Sequence, residues 1–231
     1  MSQRISRPLA VLFDLDGTLI DSIELILTSA RYAFQGRDGY VPNDAEWLTG
    51  VGIPLVTMFQ RYARDAAEVD ALIAKYREYQ LQHHDRLVRC YDAVLETVDF
   101  IRAAGHPVGI VTSKAVWLAR RGIDHVGLGP HFDLIIGCDS CERHKPDPEP
   151  VHMALDRLGY DPSDAVFVGD SVHDVHAGNA AGVTTIAALW RPFGREDLVA
   201  SRPHFFLERI SDLPRLLSEL QAARNKGSRT A

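Results

Sequence analysis

The sequence predicts an α/β fold: a parallel sheet with helices on both faces, carrying a small all-helical insert near its N-terminal end. Three observations predict it. Short runs that are apolar at nearly every position recur at residues 10–13, 108–111, 134–137, 165–168 and 184–188. They are too short for helices and have the continuous hydrophobicity of parallel strands covered on both sides. Segments with helical periodicity separate them, and strand–helix alternation implies parallel pairing. Between Ser22 and about Arg89 strand-like runs are missing and helical spacing takes over.

Taken in order, the first strand at 10–13 ends in Asp14-Leu15-Asp16-Gly17. Beyond it, Ile23, Ile26, Leu27, Ala30 and Phe34 fall on one face of a helix over 22–35, and Asp21 with Glu24 three residues on reads as a capping box. Turn-forming residues fill 36–43. After 47–52 a helix starts at Pro54, and Val69, Leu72, Ile73, Tyr76 and Tyr79 define a longer one over 66–81. From Tyr91 the alternation resumes, with a helix through Val94, Leu95, Val98 and Ile101 that stops near Gly105. Further helices are expected around 115–125, 149–158 and 175–181, then a last one near 210–223. The polar tail 225–231 reads as frayed.

Composition bounds the function. The chain has 231 residues, 46% hydrophobic and 24% charged, enough for one large domain or a core with a smaller insert. A net charge of -6 argues against general nucleic-acid binding, which wants a basic face. No apolar run reaches membrane-spanning length, so no membrane partner is expected. The apolar stretch after the basic N-terminus stops at Asp14, too soon for a signal peptide, and a cytoplasmic location is expected. The three cysteines, Cys90, Cys138 and Cys141, read as reduced thiols. Cys138, Cys141 and His144 would give only three of the four ligands that a structural zinc usually takes.

The chemistry concentrates at strand ends, where open α/β sheets bind ligands. Asp14 and Asp16 stand one residue apart there, and a hard divalent cation would relieve their repulsion. The competing reading has them merely open a helix. Thr112, Ser113 and Lys114 follow the strand at 108–111. Thr112 suits either a phosphate oxygen or a helix N-cap. Lys145, before Pro146 and Asp147, offers a point charge. Asp170 follows the strand at 165–168, and Asp174 lies four residues on, where it would also complement a helix N-terminus. His173 and His176 at helical spacing read as a solvated helix face.

These four segments, in this order, resemble the four motifs of the haloacid dehalogenase superfamily of phosphohydrolases. The resemblance implies a Rossmann-like core at 1–20 and 89–231 and a helical cap at 21–88. It implies Asp14 as a nucleophile that becomes an aspartyl phosphate, and Asp16 as the acid that protonates the leaving oxygen and then activates water. Thr112, Ser113 and Lys145 would bind phosphate. Mg²⁺ would take the Asp14 side chain, the Asp16 backbone carbonyl and Asp170, with Asp174 orienting a bound water or Lys145. An aspartate at position 16 favours a phosphatase or phosphomutase over a dehalogenase. Segments 82–88, 145–151 and 194–198 are similar to a bacterial pyrophosphatase branch, with phosphoglycolate phosphatases close by. The expected partner is a small phosphorylated metabolite or pyrophosphate, and the sequence leaves the oligomeric state open. A β-phosphoglucomutase-like mutase and a non-catalytic relative remain alternatives. In the cap, Gly52, Ile53 and His84 are the candidates for substrate selection, with Gly50 to Leu55 as the tip of a lid.

Overall fold

The computed structural model describes residues 7–191 and 195–227. The sequence readings for the first six residues, for Gly194 and for 228–231 lie outside them. The chain opens with β1 (Ala10–Phe13) and β2 (Ile20–Asp21), then runs through α1 (Ile23–Phe34), α2 (Asp44–Leu48), α3 (Leu55–Gln60) and α4 (Ala66–Leu87). It returns through β3 (Arg89–Cys90), α5 (Val94–Ala103), β4 (Val108–Val111), α6 (Val116–His125) and β5 (Leu134–Ile136). The remainder is α7 (Glu149–Leu158), β6 (Ala165–Gly169), α8 (Val172–Ala181), β7 (Thr184–Ala188), α9 (Arg195–Ala200), β8 (Phe205–Leu207) and α10 (Leu213–Gly227).

Six strands form one parallel sheet in the order β5-β4-β1-β6-β7-β8. β1 lies at its centre, with Phe13 opposite Ile110 of β4 on one side and Val168 of β6 on the other. Successive side chains of a strand point to opposite faces, and here both faces are apolar. Val11 and Phe13 pack with Val98 and Ile101 of α5, Ile123 of α6 and Leu217 of α10. Ala10 and Leu12 pack on the other side with Val151 and Leu155 of α7 and Ala177 of α8. That two-sided cover is why the strands are apolar throughout. The chain leaves β1 toward β4 and β5, then crosses back to β6, so the strand order reverses at β1. The crevice outside the carboxyl ends of β1, β4 and β6 lies at this switch point.

The helices α1 to α4 bury a core of their own. Trp47 is fully buried, its ring 4.9 Å from Phe59 and 5.7 Å from Phe34, with Leu72 and Tyr76 of α4 closing the cluster. A half-buried ion pair ties this bundle together. Arg37, just beyond α1, donates to both carboxylate oxygens of Glu68 on α4 at 3.0 Å, and to the Tyr62 carbonyl at 2.5 Å. The chain enters and leaves this segment side by side, because β2 and β3 pair antiparallel, Asp21 opposite Arg89.

Several boundaries differ from the sequence reading. α4 runs on to Leu87, because His84 is buried and extends the packed face beyond the last obvious apolar residue. α8 starts at Val172, three residues early, capped by Ser171. The short β8 and α9 and the two-residue strands β2 and β3 lacked a readable period. Asp21 does not form a capping box: Ser22 is the N-cap of α1 and makes no side-chain cap bond, while Asp21 accepts from the Ile23 amide at 3.2 Å. α10 extends past Ala223.

The Glu68 network predicts a pH-dependent stability. Hydrogen bonds from Arg37, then from Arg64, hold the Glu68 carboxyl well below its ordinary range. A carboxyl lowered on folding contributes stability that is present above its unfolded value, about 4.3, and is lost as pH falls toward its folded value. Glu68→Gln should therefore lower the melting temperature at pH 7, and the gap to wild type should narrow steadily below about pH 4, as followed by circular dichroism.

Candidate active site

The site is built from the turns that follow β1, β4 and β6. After β1, the Leu15 carbonyl accepts the amides of Thr18, Leu19 and Ile20, folding the chain back on itself. Gly17 makes this possible with φ +91°, and a Cβ there would lie 2.3 Å from Asp170 Oδ2. A glycine lets the first turn press directly onto the turn after β6. The Asp14 amide donates to the Val168 carbonyl at 2.8 Å, which fixes Asp14 between the two strands.

Asp14, Asp170 and Asp174 are all buried, and one carboxylate oxygen from each lies within 4.8 Å of the others. Lys145 sits among them, its Nζ 2.6 Å from Asp14 Oδ1, 2.6 Å from Asp174 Oδ1 and 3.2 Å from the Val111 carbonyl. Burial works against the Lys145 ammonium, but the Asp14 and Asp174 carboxylates together outweigh it and raise its pKa. Burial also raises Asp14 and Asp170, against the pull of Lys145 on the first and Arg191 on the second. Asp170 accepts from Thr18 Oγ1 at 2.9 Å and from Arg191 Nη1 at 2.6 Å. Asp174 serves two neighbours: Oδ1 takes Lys145, while Oδ2 takes the Ser171 amide at 3.0 Å and hydroxyl at 2.6 Å, closing a capping box on α8. Helix capping and lysine orientation thus coexist in one residue.

Asp16 points elsewhere. Its Oδ1 accepts from Lys114 Nζ at 2.6 Å and from the Ser22 hydroxyl. Its side chain is therefore outside the three-acid cluster. Three buried carboxylates, hard oxygen donors whose charge burial penalises, fit a small divalent cation, and Asp174 is as close to the group as the expected pair Asp14 and Asp170. Thr112 is buried but does not cap α6, whose N-cap is Ala115. Instead its Oγ1 accepts from the Lys114 amide at 3.2 Å.

A cavity of about 70 Å³ opens over Asp14, Asp16 and Thr112–Lys114. Its far wall comes from the helical insert: Ile26, Val51, Gly52, Ile53, Leu55, Met58, Tyr76, Arg77 and Gln80. Gly52, with φ +111°, is clamped between two turns of the sheet. Its carbonyl accepts the Ser113 hydroxyl at 2.6 Å, and a Cβ would lie 2.8 Å from Ser171 Oγ. The Ser113 hydroxyl is thus turned toward the insert, whereas the sequence reading placed Ser113 among the phosphate-binding residues.

His84 is a correction. It does not line the cavity but is buried near the end of α4, its Nδ1 2.7 Å from Asp85 Oδ1 and its ring against Gly122. Burial, more than any charge, lowers its pKa. Its register on α4 turns it toward α6, one helical turn past Gln80, the last cavity-lining residue of that helix. His83 packs on Tyr79, and Arg195 pairs with Glu208 on the surface. Cys90, Cys138 and Cys141 are free thiols. Sequence reasoning gave no role to Lys114, Arg191, Arg77 and Gln80. Lys114 had a signal, its place directly after Thr112 and Ser113; the other three had none.

Residues 11–188 match the model of the haloacid dehalogenase-like hydrolases, and the chain belongs to that family. It is 42% identical to pyrophosphatase PpaX of Bacillus velezensis over 210 residues, covering 90% of this chain and 95% of that one. It is 40% identical to pyrophosphatase PpaX of Bacillus cereus over 213 residues, covering 91% and 96%. Among solved structures, a predicted phosphatase from Clostridium acetobutylicum superposes with a TM-score of 0.81 at 26% identity, covering 93% and 100%. A predicted phosphoglycolate phosphatase from Haemophilus somnus superposes with a TM-score of 0.80 at 21% identity, covering 92% and 99%, and shares the fold. The chain is a phosphatase-class hydrolase of this family.

The clamp on Gly52 makes a prediction. A branched side chain would be strained at φ +111° and would push against Ser171, lifting the insert loop off the sheet. Gly52→Val should keep the fold but raise KM at least tenfold and reorder substrate preference. Steady-state kinetics across a panel of phosphorylated metabolites checks this, and an unchanged ranking would place the loop outside the site.

Proposed function

We propose that the chain is a Mg²⁺-dependent phosphohydrolase that releases phosphate from a small substrate through an aspartyl phosphate on Asp14. Pyrophosphate is the substrate best supported, on the likeness to the pyrophosphatases over nearly the whole chain. A phosphomonoester such as phosphoglycolate is the neighbouring choice. The observation that carries the mechanism is the buried Lys145–Asp14 contact at 2.6 Å, with Asp14 lining a cavity whose far wall is the insert. A phosphoryl group repels anionic nucleophiles, so the enzyme must neutralise it and hold the attacking oxygen in line.

Lys145 does both: it fixes one Asp14 oxygen and presents positive charge where the phosphoryl group lands. Asp14 attacks phosphorus, which splits hydrolysis into two easier steps. Asp16, held by Lys114 and Ser22 on the cavity side, protonates the leaving oxygen and then takes a proton from the water that frees Asp14. Thr112 supplies a hydroxyl to the phosphoryl oxygens. Asp14, Asp170 and the Asp16 carbonyl, with Asp174 in reach, would hold Mg²⁺, which would offset negative charge on the phosphoryl oxygens. The segment 21–88 acts as a cap on the core formed by 1–20 and 89–231, and excludes water from the charged floor. A cavity of about 70 Å³ holds only a few water-sized groups, which suits a small anion.

Phosphate release from a panel of pyrophosphate, phosphoglycolate and sugar phosphates tests this reading; an isomerised sugar phosphate without free phosphate would make the chain a mutase. Asp14→Asn should stay folded and lose at least about a thousandfold in kcat, because a covalent nucleophile cannot be replaced by an amide. Retention of more than about a tenth of wild-type turnover would remove Asp14 from that role. Exhaustive chelation should abolish activity and Mg²⁺ should restore it. Ca²⁺ should inhibit, since its looser, higher coordination disturbs in-line geometry. Full turnover in the chelated protein would overturn the metal requirement.

A further inference from the structure

The cavity wall supplied by the insert is mostly apolar: Ile26, Val51, Ile53, Leu55 and Met58. One cation breaks it. Arg77, on α4, lines the same cavity as Asp14, its guanidinium carbon 6.0 Å from the Trp117 ring centroid at the start of α6. Its hydrogen-bond partner is neutral: Nη1 donates to Gln80 Oε1 at 2.5 Å, and Gln80 is 2% exposed and likewise lines the cavity. Among the described residues no carboxylate lies within ion-pair distance of Arg77, whereas three of the six arginines of the insert have one, Arg31 with Asp44, Arg37 and Arg64 with Glu68. A half-buried guanidinium beside an apolar wall, held in place by an amide, is under-compensated. An anion entering the cavity would supply the missing partner.

The side of the cavity facing the sheet already has cations for the reacting phosphoryl group, Lys114 in its lining and Lys145 bonded to Asp14. We propose that Arg77, positioned by Gln80, binds a negative charge on the leaving group. It thereby selects substrates whose leaving group is itself an anion, a phosphate or a carboxylate, over esters of neutral alcohols. This rests on the phosphohydrolase reading and deepens it. A fork of N–H donors meets phosphate or carboxylate oxygens in pairs, which lysine cannot copy.

Phosphoglycolate and ethyl phosphate are close in size and differ by the carboxylate, so their kcat/KM ratio reads this contact. With Mg²⁺ present, wild type should favour pyrophosphate and phosphoglycolate over ethyl phosphate, and Arg77→Ala should shrink that preference by about ten- to a hundredfold. Arg77→Lys should recover only part of it. Gln80→Leu should weaken it less than Arg77→Ala does. Calorimetric titration reads the same contact without turnover: methylenediphosphonate should bind wild type more tightly than methylphosphonate does, and Arg77→Ala should narrow the gap tenfold or more. Circular dichroism confirms that each variant is folded. Equal losses on phosphoglycolate and ethyl phosphate, or an unchanged gap between the two phosphonates, would overturn the proposal. If wild type releases phosphate from none of the panel, the phosphohydrolase reading fails, and the titration still decides whether Arg77 binds a second anionic group.

Discussion

The site depends on one buried ammonium. Lys145 lies between Asp14 at the end of β1 and Asp174 at the start of α8, with the Val111 carbonyl of β4 as its third partner. Three segments remote in sequence meet at a single nitrogen. An ammonium in this environment would lose several kcal/mol of hydration without partners, and breaking a buried pair typically costs about 3–5 kcal/mol because the surviving charge is stranded. Burial raises the Asp14 carboxyl, and the lysine beside it works against that shift. The lysine's charge in turn is kept only because two carboxylates face it. The geometry of the floor follows from that mutual requirement.

Around this centre the other charges divide the work spatially. Asp170 is held by Thr18 and Arg191, and Asp16 by Lys114 and Ser22, so each acid has its own cation. The parallel sheet makes this possible. β1 is flanked by β4 and β6, and all three end on the same edge, so their following turns converge without any long excursion of the chain. Gly17 allows two of those turns to touch, with Asp170 filling the space where a side chain would stand.

The insert meets this charged floor with an aromatic body and an apolar wall. Trp47, Phe34, Phe59 and Tyr76 give the bundle an interior independent of the sheet, so it can hold its shape as a unit. Contacts that hold it over the site include the Ser113 hydroxyl on the Gly52 carbonyl, Gly52 itself against Ser171, and the Arg121–Asp85 ion pair between α6 and α4. Low polarity above and paired charges below strengthen every electrostatic interaction with an anion held between them. Arg77 is the exception in that wall, and its lack of a carboxylate partner among the described residues marks the place where a ligand's charge can enter.

Much of this was legible in the sequence. The strands at 10–13, 108–111 and 184–188 fall where the apolar runs place them, and so do the helix at 149–158 and the helical character of 22–88. These signals are local: a buried parallel strand must be apolar at consecutive positions, and a glycine after paired acids marks a tight turn. The same locality singled out Asp14, Asp16, Thr112 and Asp170 just after strands, while Lys145 and Asp174 were read from the order of the four motif-like segments. What the sequence lacked was pairing. Nothing local links Lys114 to Asp16, which are 98 residues apart, or turns Ser113 toward Gly52. Position along α4 could not separate His84, buried toward α6, from Arg77 and Gln80, which face the cavity. All three lie on one face of that helix, and which stretch of it meets the cavity and which meets α6 is set by packing against α1 and α3. Strand ends and acids are thus determined by contiguous residues. Which cation meets which acid, and which face of the insert looks down on them, was decided only by tertiary packing, because those contacts join elements that share no local period.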